Sequence, residues 1–222
     1  MNLLKKGFYF LLAATVLVAC SDDDDSGPVG PIDPGGGGSD HPLAGTSWSI
    51  AAEAGSLGVG PSEGNYTWWA VDMFGDDVGA RTCMWDDVFT FNADGSYEVD
   101  LGTETWIEAW QEADVNGDGV FGEAPSDANG WSADEGCHAG VAPHTSKSDH
   151  TWTANSSTIT VTGDGAFIGI AKVHNSGEDG NPSGDTITYN YTLDGDTLEI
   201  TISGFQTGEN AGATWYFKLL KQ

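Results

Sequence analysis

Residues 187–202 read ITYNYTLDGDTLEITI, and this stretch decides the fold class. Ile187, Tyr189, Tyr191 and Leu193 alternate with polar residues, so they share one face of an extended strand. Asp194-Gly195 then supplies the φ > 0 positions that a tight hairpin turn needs. Thr197–Ser203 resumes the alternation as the return strand. Working outward, Thr46–Ala51, Asp87–Asn92, Ser96–Leu101, Thr151–Ala154, Thr158–Thr162 and Ala213–Leu220 alternate in the same way or carry β-branched and aromatic residues. Asn92-Ala93-Asp94-Gly95 is a second hairpin turn. One short helix is expected at Glu104–Ala113, with Thr103 as its N-cap and Trp106, Ile107 and Trp110 on one side. Sequential hairpins with short turns predict an all-β domain. It is an antiparallel meander, closed as a lipocalin-like barrel or folded as a β-sandwich, with long Gly/Asp-rich loops. Residues 163–175, GDGAFIGIAKVHN, read as a further strand with a close glycine approach.

The composition narrows the setting. The 222 residues hold 34 Asp and Glu against 7 Lys and Arg, a net charge of −27. Such a surface repels phosphate backbones, which excludes nucleic acid as a partner. Hydrophobic residues make up 39% and aromatics 11%, too much for a wholly disordered chain. Length and composition predict one domain, residues 43–222.

The segment before it is of another kind. Lys5 and Lys6 precede an apolar run over residues 7–19 that is too short to span a bilayer as a finished helix. It ends in Leu17-Val18-Ala19-Cys20, which resembles a bacterial lipobox. That resemblance implies a signal peptide over residues 1–19 and lipidation of Cys20. Without Lys5 and Lys6 the exported chain keeps 34 acids and five bases, a net −29. Asp22–Asp25 follow at once, and this acidic run resembles the export signal of surface lipoproteins in polysaccharide-degrading Gram-negative bacteria. It implies lipid anchoring in the outer membrane, facing the exterior; the alternative is a solvated charge run. Residues 20–42, rich in Gly and Pro, read as a tether with a reach of about 25 Å.

The domain carries its own resemblance. LAGTSW at 43–48, FTFNADGSYEV at 89–99, TWTA at 151–154, YTLDGDTLEITI at 191–202 and TWYFKLLK at 214–221 occur in an order similar to the lipocalin-like domains of bacterial surface lipoproteins. The middle of the chain also resembles an uncharacterised domain found beside polysaccharide-degrading systems. These resemblances imply a polysaccharide ligand and outer-membrane transport proteins as partners.

Two features inside the domain bear on ions and cross-links. Beyond Cys20 only Cys83 and Cys137 remain, and in an exported chain they favour one disulfide. The cysteines and His138, His144, His150 and His174 lack the tight spacing of a closed zinc site. Asp114, Asn116 and Asp118 occupy positions 1, 3 and 5 of a calcium-type loop, an insertion near residues 114–127, with Gly119 at the sharp turn and the Val120 carbonyl at position 7. Position 12 is Pro125, so Glu123 or Asp127 would complete a structural Ca²⁺ shell. The alternative is an acidic turn without an ion.

For function, the carboxylate pairs Glu104/Glu108 and Asp86/Asp87 are what a glycosidase would need. In so acidic a chain they read instead as solvated surface, no nucleophile elbow is present, and a non-catalytic protein is expected. Trp68 and Trp69 are neighbours in an extended segment, so they point to opposite faces. With Tyr66 and Trp131 they lie in Gly-rich loops flanked by Asp and Asn, which suits stacking against sugar rings. The alternative is that they pin loops onto the domain. The expected function is binding of neutral polysaccharide. The rivals are a carrier of a small apolar ligand inside the barrel and a structural or adhesive domain. Inward residues discriminate the first two, because a carrier needs small side chains there.

Overall fold

The structure, a computed structural model, describes residues 40–75, 77–111, 135–178, 183–203 and 212–222. Eight strands close an antiparallel barrel: β1 (Thr46–Ile50), β4 (Val88–Phe91), β5 (Ser96–Asp100), β8 (Lys147–Ala154), β9 (Thr158–Thr162), β12 (Thr186–Asp194), β13 (Thr197–Ser203) and β14 (Thr214–Lys221). Each pairs with the next, and β14 closes on β1 through Trp48 opposite Lys221 and Ile50 opposite Leu219. The barrel form, rather than the sandwich, is thereby the observed one. These eight are the eight alternating stretches expected above, with shifted ends. The β4–β5 turn is held by Asp94, whose Oδ1 accepts from the Ser96 N–H at 2.9 Å and the Ser96 hydroxyl at 2.6 Å.

The remaining strands are short. β2 (Leu57–Gly60) pairs with the N-terminal half of β14, and β3 (Trp69–Ala70) pairs with β2. β6 (Thr105–Ile107) pairs with β7 (Gly136–His138), and β10 (Val173–His174) with β11 (Gly177–Glu178). The expected helix at Glu104–Ala113 is not formed. Its first part is β6, Ala109–Gln111 is a single 3₁₀ turn, and residues 112–113 lie outside the described residues. Burial overrides the helical spacing here: Thr105, Trp106 and Ile107 are all buried, and a helix would turn some of them to solvent. Thr105 is tied to Asp87 by a 2.6 Å hydrogen bond and Trp106 sits opposite Cys137 in the β6–β7 ladder. The short helix that does form is α1 (Asp77–Ala80).

Cys83 and Cys137 form a disulfide. It joins the 3₁₀ turn at Thr82–Met84 to β7. Closing a 54-residue separation stabilises by about 4 kcal/mol if the gain is chain entropy.

Large side chains fill the barrel. Trp48, Phe89, Phe91, Tyr97, Trp152, Tyr189 and Phe217 all point inward and are fully buried. Residues 163–172 do not form the strand expected of them; they enter the barrel as irregular chain that reaches β10. Ala166, Phe167, Ile168 and Ile170 of this segment are buried. Two inward tyrosines satisfy its backbone: the Tyr97 hydroxyl donates to the Phe167 carbonyl at 2.6 Å, and the Ile168 N–H donates to the Tyr189 hydroxyl at 3.1 Å. The close glycine approach is real: a Cβ at Gly163 would overlap the His150 ring, one at Gly165 the Pro143 backbone and one at Gly169 the Phe217 ring. One cavity beside this segment, between Met84, Leu101, Trp106, His144 and Phe167, measures about 10 Å³, room for no more than a water.

Candidate functional site

The candidate site lies outside the barrel wall, on the face of β12, β13 and β14. Strand alternation turns Asn190, Glu199 and Tyr216 outward while Tyr189, Ile200 and Phe217 fill the core. Register places Asn190 opposite Thr201 and Thr201 opposite Tyr216, and the row continues to Gly58 of β2. Gly58 and Gly60 leave that end of the row bare. A Cβ at Gly60 would run into the Asn65 backbone, and one at Gly58 would crowd the Tyr66 Cβ at 3.1 Å. The glycines therefore let the 61–68 loop fold back onto β2, and this lays Tyr66 over Tyr216. The two rings stack with centroids 4.8 Å apart and planes 22° apart.

The result is a groove of about 340 Å³, with Glu63 and Tyr66 on one wall and Asn190, Glu199, Thr201 and Tyr216 among its other lining residues. The Tyr216 hydroxyl donates to Glu199 Oε1 at 2.7 Å, and the Thr192 hydroxyl reaches Glu199 Oε2 at 3.5 Å. Burial pushes the Tyr216 phenol up, helped by its bond to Glu199 and that carboxylate's field. Burial, then the fields of Glu63 and Glu199, also raise Tyr66 against the lowering effect of a backbone hydrogen bond at Gly64. Both phenols thus stay protonated donors at neutral pH. A flat aromatic step beside carboxylate, amide and hydroxyl groups can stack the apolar face of a ring and bond its substituents.

The chain matches no protein-family model and no curated protein.

The sequence-derived site residues fall in different places. Tyr66 lines the groove. Trp68 is 40% exposed, and its backbone N–H donates to the Val59 carbonyl. Trp69 is half-buried, 6.1 Å from the Trp215 ring, with the Arg81 guanidinium 5.3 Å from its own centroid. Trp69 is therefore committed to packing. Cys20, Asp114, Asn116, Asp118, Val120, Glu123, Asp127 and Trp131 lie outside the described residues. Sequence reasoning missed Tyr216, Glu199, Asn190 and Thr201. Tyr66 and Tyr216 are far apart in sequence, and the signal that could have joined them is the Gly-x-Gly of β2 beside an aromatic loop.

The carboxylates expected to be solvated surface are partly the reverse. Glu108 is buried and takes Lys172 Nζ at 3.1 Å and Arg81 Nη1 at 3.9 Å. Arg81 lies 3.9 Å from the Trp106 ring centroid. This Trp69–Arg81–Trp106 arrangement, next to Cys83, pins the long loops to the barrel. Asp87 is buried too, accepting from Thr105. Its desolvation, with the fields of Asp86 and Asp100, pushes the carboxyl up to about 8 against that hydrogen bond. Asp86 is exposed, so the two carboxylates differ in environment. Among the described residues, no group of three His, Cys, Asp or Glu side chains is placed to hold a metal ion.

Proposed function

We propose that this protein is a non-catalytic, lipid-anchored lipoprotein of the outer-membrane surface that binds polysaccharide in the Tyr66–Tyr216 groove. The observation that carries the reading is the stacked tyrosine pair set among Glu63, Asn190, Glu199 and Thr201 on the open barrel face. A glycan chain presents alternating apolar faces and hydroxyls, and an open groove admits a polymer that a closed pocket would not. The net charge of −29 on the exported chain disfavours sulfated or uronic polymers and leaves glycans without anionic groups as the expected class. The aromatic filling of the barrel and the segment inserted in it support surface binding over an interior apolar carrier. The lipobox-like stretch and Asp22–Asp25 support anchoring at Cys20 and export. The Asp114–Asp118 pattern supports a structural Ca²⁺ in the same domain.

Affinity electrophoresis tests the reading. The exported chain carrying Cys20→Ser should be retarded in gels loaded with one or more neutral polysaccharides. Tyr216→Ala should remove the greater part of that retardation, because a few aromatic anchors dominate such interfaces, while the melting temperature falls by only a few degrees. Retardation that survives both Tyr216→Ala and Tyr66→Ala would move the site elsewhere.

A further inference from the structure

We propose that the groove selects, among glycans, a polymer whose sugars carry protonated amines. The inference rests on the glycan reading above and adds to it a charge that the ligand must bring. Glu63 and Glu199 both line the groove, and among the described residues neither is paired with a cation. The chain from residue 20 onward has five bases. Arg81 and Lys172 are spent on Glu108, Lys147 on Asp164, and Lys218 on Glu53 at 2.6 Å. Lys218 is the telling case. It stands directly opposite Glu199 in the β13–β14 register, yet its ammonium pairs with Glu53. Among the described residues no Lys, Arg or His makes an ion pair with Glu63 or Glu199. Lys221, the fifth base, lies opposite Trp48 on the β1 side.

What does reach Glu199 is uncharged: the Tyr216 hydroxyl on one oxygen and the Thr192 hydroxyl at the edge of bonding distance on the other. An ammonium group in the groove would meet Glu199, with a phenol ring beside it whose face also attracts cations. The Asn190 side chain is exposed in the same groove, with an amide for a neighbouring hydroxyl. A plain glucan would satisfy the stacking but offer the carboxylates only uncharged hydroxyls. A sugar with an amine at one carbon satisfies both.

Three hexasaccharides with one β-1,4 backbone isolate the effect: cellohexaose with a hydroxyl at the second carbon, N-acetylchitohexaose with an acetamide, and chitohexaose with an amine. Calorimetric titrations use the exported chain with Cys20→Ser, at about pH 5.5 and about 0.15 M salt, where long-range attraction is screened. Chitohexaose should bind at least about tenfold more tightly than the other two, and Glu199→Gln should bring it to within about twofold of them. Glu63→Gln, on an exposed loop, gives a smaller loss in the same direction and covers the case in which the Glu199 variant folds poorly. Glu98→Gln, on β5 across the barrel, should change nothing.

Equal binding of all three would overturn the amine inference and leave the glycan reading standing. Failure of all three to bind, together with a blank neutral panel, would overturn both. An equal loss in Glu98→Gln would reduce the preference to general attraction of a cation to an acidic protein. Hexalysine binding with the same dependence on Glu199 would make the groove a basic-peptide site and contradict the proposal.

Discussion

Asp87 is a carboxylic acid held neutral at physiological pH by its burial. Its folded pKa, about 8, lies above that of the unfolded chain, so the folded state holds a proton that the unfolded state releases. The stability it contributes is full below about pH 4 and is lost as pH rises through about 8. Asp87→Asn keeps a neutral acceptor for Thr105. It should flatten that loss and raise the melting temperature at about pH 8 by several degrees; a parallel pH profile for wild type and variant would contradict the assignment. His144 works in the opposite direction. Burial against Trp110 and Phe167 lowers it to about 4, so its contribution is full above about pH 6.5 and falls away as pH drops toward 4. His144→Gln should therefore alter only the acid limb of the same profile. The two adjacent tryptophans divide at this scale as well. Trp69→Ala removes packing against Trp215 and Arg81 and should cost about 2 kcal/mol, read by chemical denaturation. Trp68→Ala should cost little, and equal losses would contradict the placement. Their opposite facing was legible from the backbone of an extended segment. Which one is buried was not, because Arg81 and Trp215 are brought there only by the closed barrel.

Element by element, the eight barrel strands were legible because each is long enough to show alternation and most end in a recognisable turn. Residues 105–107 were read as helical from the spacing of Trp106, Ile107 and Trp110. Three residues buried together on a strand tied to β7 and to Asp87 override that spacing, and nothing local announces it. The inserted 163–172 segment was half legible: its glycines pointed to a close approach, but its apolar run looked like a strand because chain buried on all sides has no alternation to show. Gly169 is the point where it meets the barrel wall at Phe217. Gly169→Ala would drive a methyl into the Phe217 ring at a backbone φ of +86°, and should destabilise by about 2–3 kcal/mol. The disulfide contributes on the same scale. Cys83→Ser with Cys137→Ser should lower the melting temperature by roughly 10 °C, from about 4 kcal/mol at a few degrees each. An unchanged melt in either variant would mean that the loops and the inserted segment are not coupled to barrel stability.

At the scale of the whole molecule, the barrel is a filled scaffold with its candidate site on the outside wall. The closed meander leaves no edge strand among its eight staves. Four aromatic rings, from Trp48, Phe89, Trp152 and Phe217, occupy space that a carrier would keep open. The alternation in the sequence foretold an antiparallel meander, with barrel and sandwich both open, but the groove depends on register: β12, β13 and β14 must align so that Asn190, Thr201 and Tyr216 fall on one row, and β2 must present bare glycine beside it. No single stretch of the chain encodes that row. The reading of surface binding therefore turns on where a glycan touches the protein. Amide chemical-shift mapping of the ¹⁵N-labelled chain from residue 20 onward with Cys20→Ser, titrated with a glycan that retards it, answers this directly. Shifts should concentrate at Glu63–Tyr66, Asn190–Thr192, Glu199–Thr201 and Tyr216, with the barrel-lining amides of Phe89, Tyr97 and Trp152 unmoved. Shifts centred on those interior strands and on Phe167–Ile168, with the outer groove silent, would contradict it.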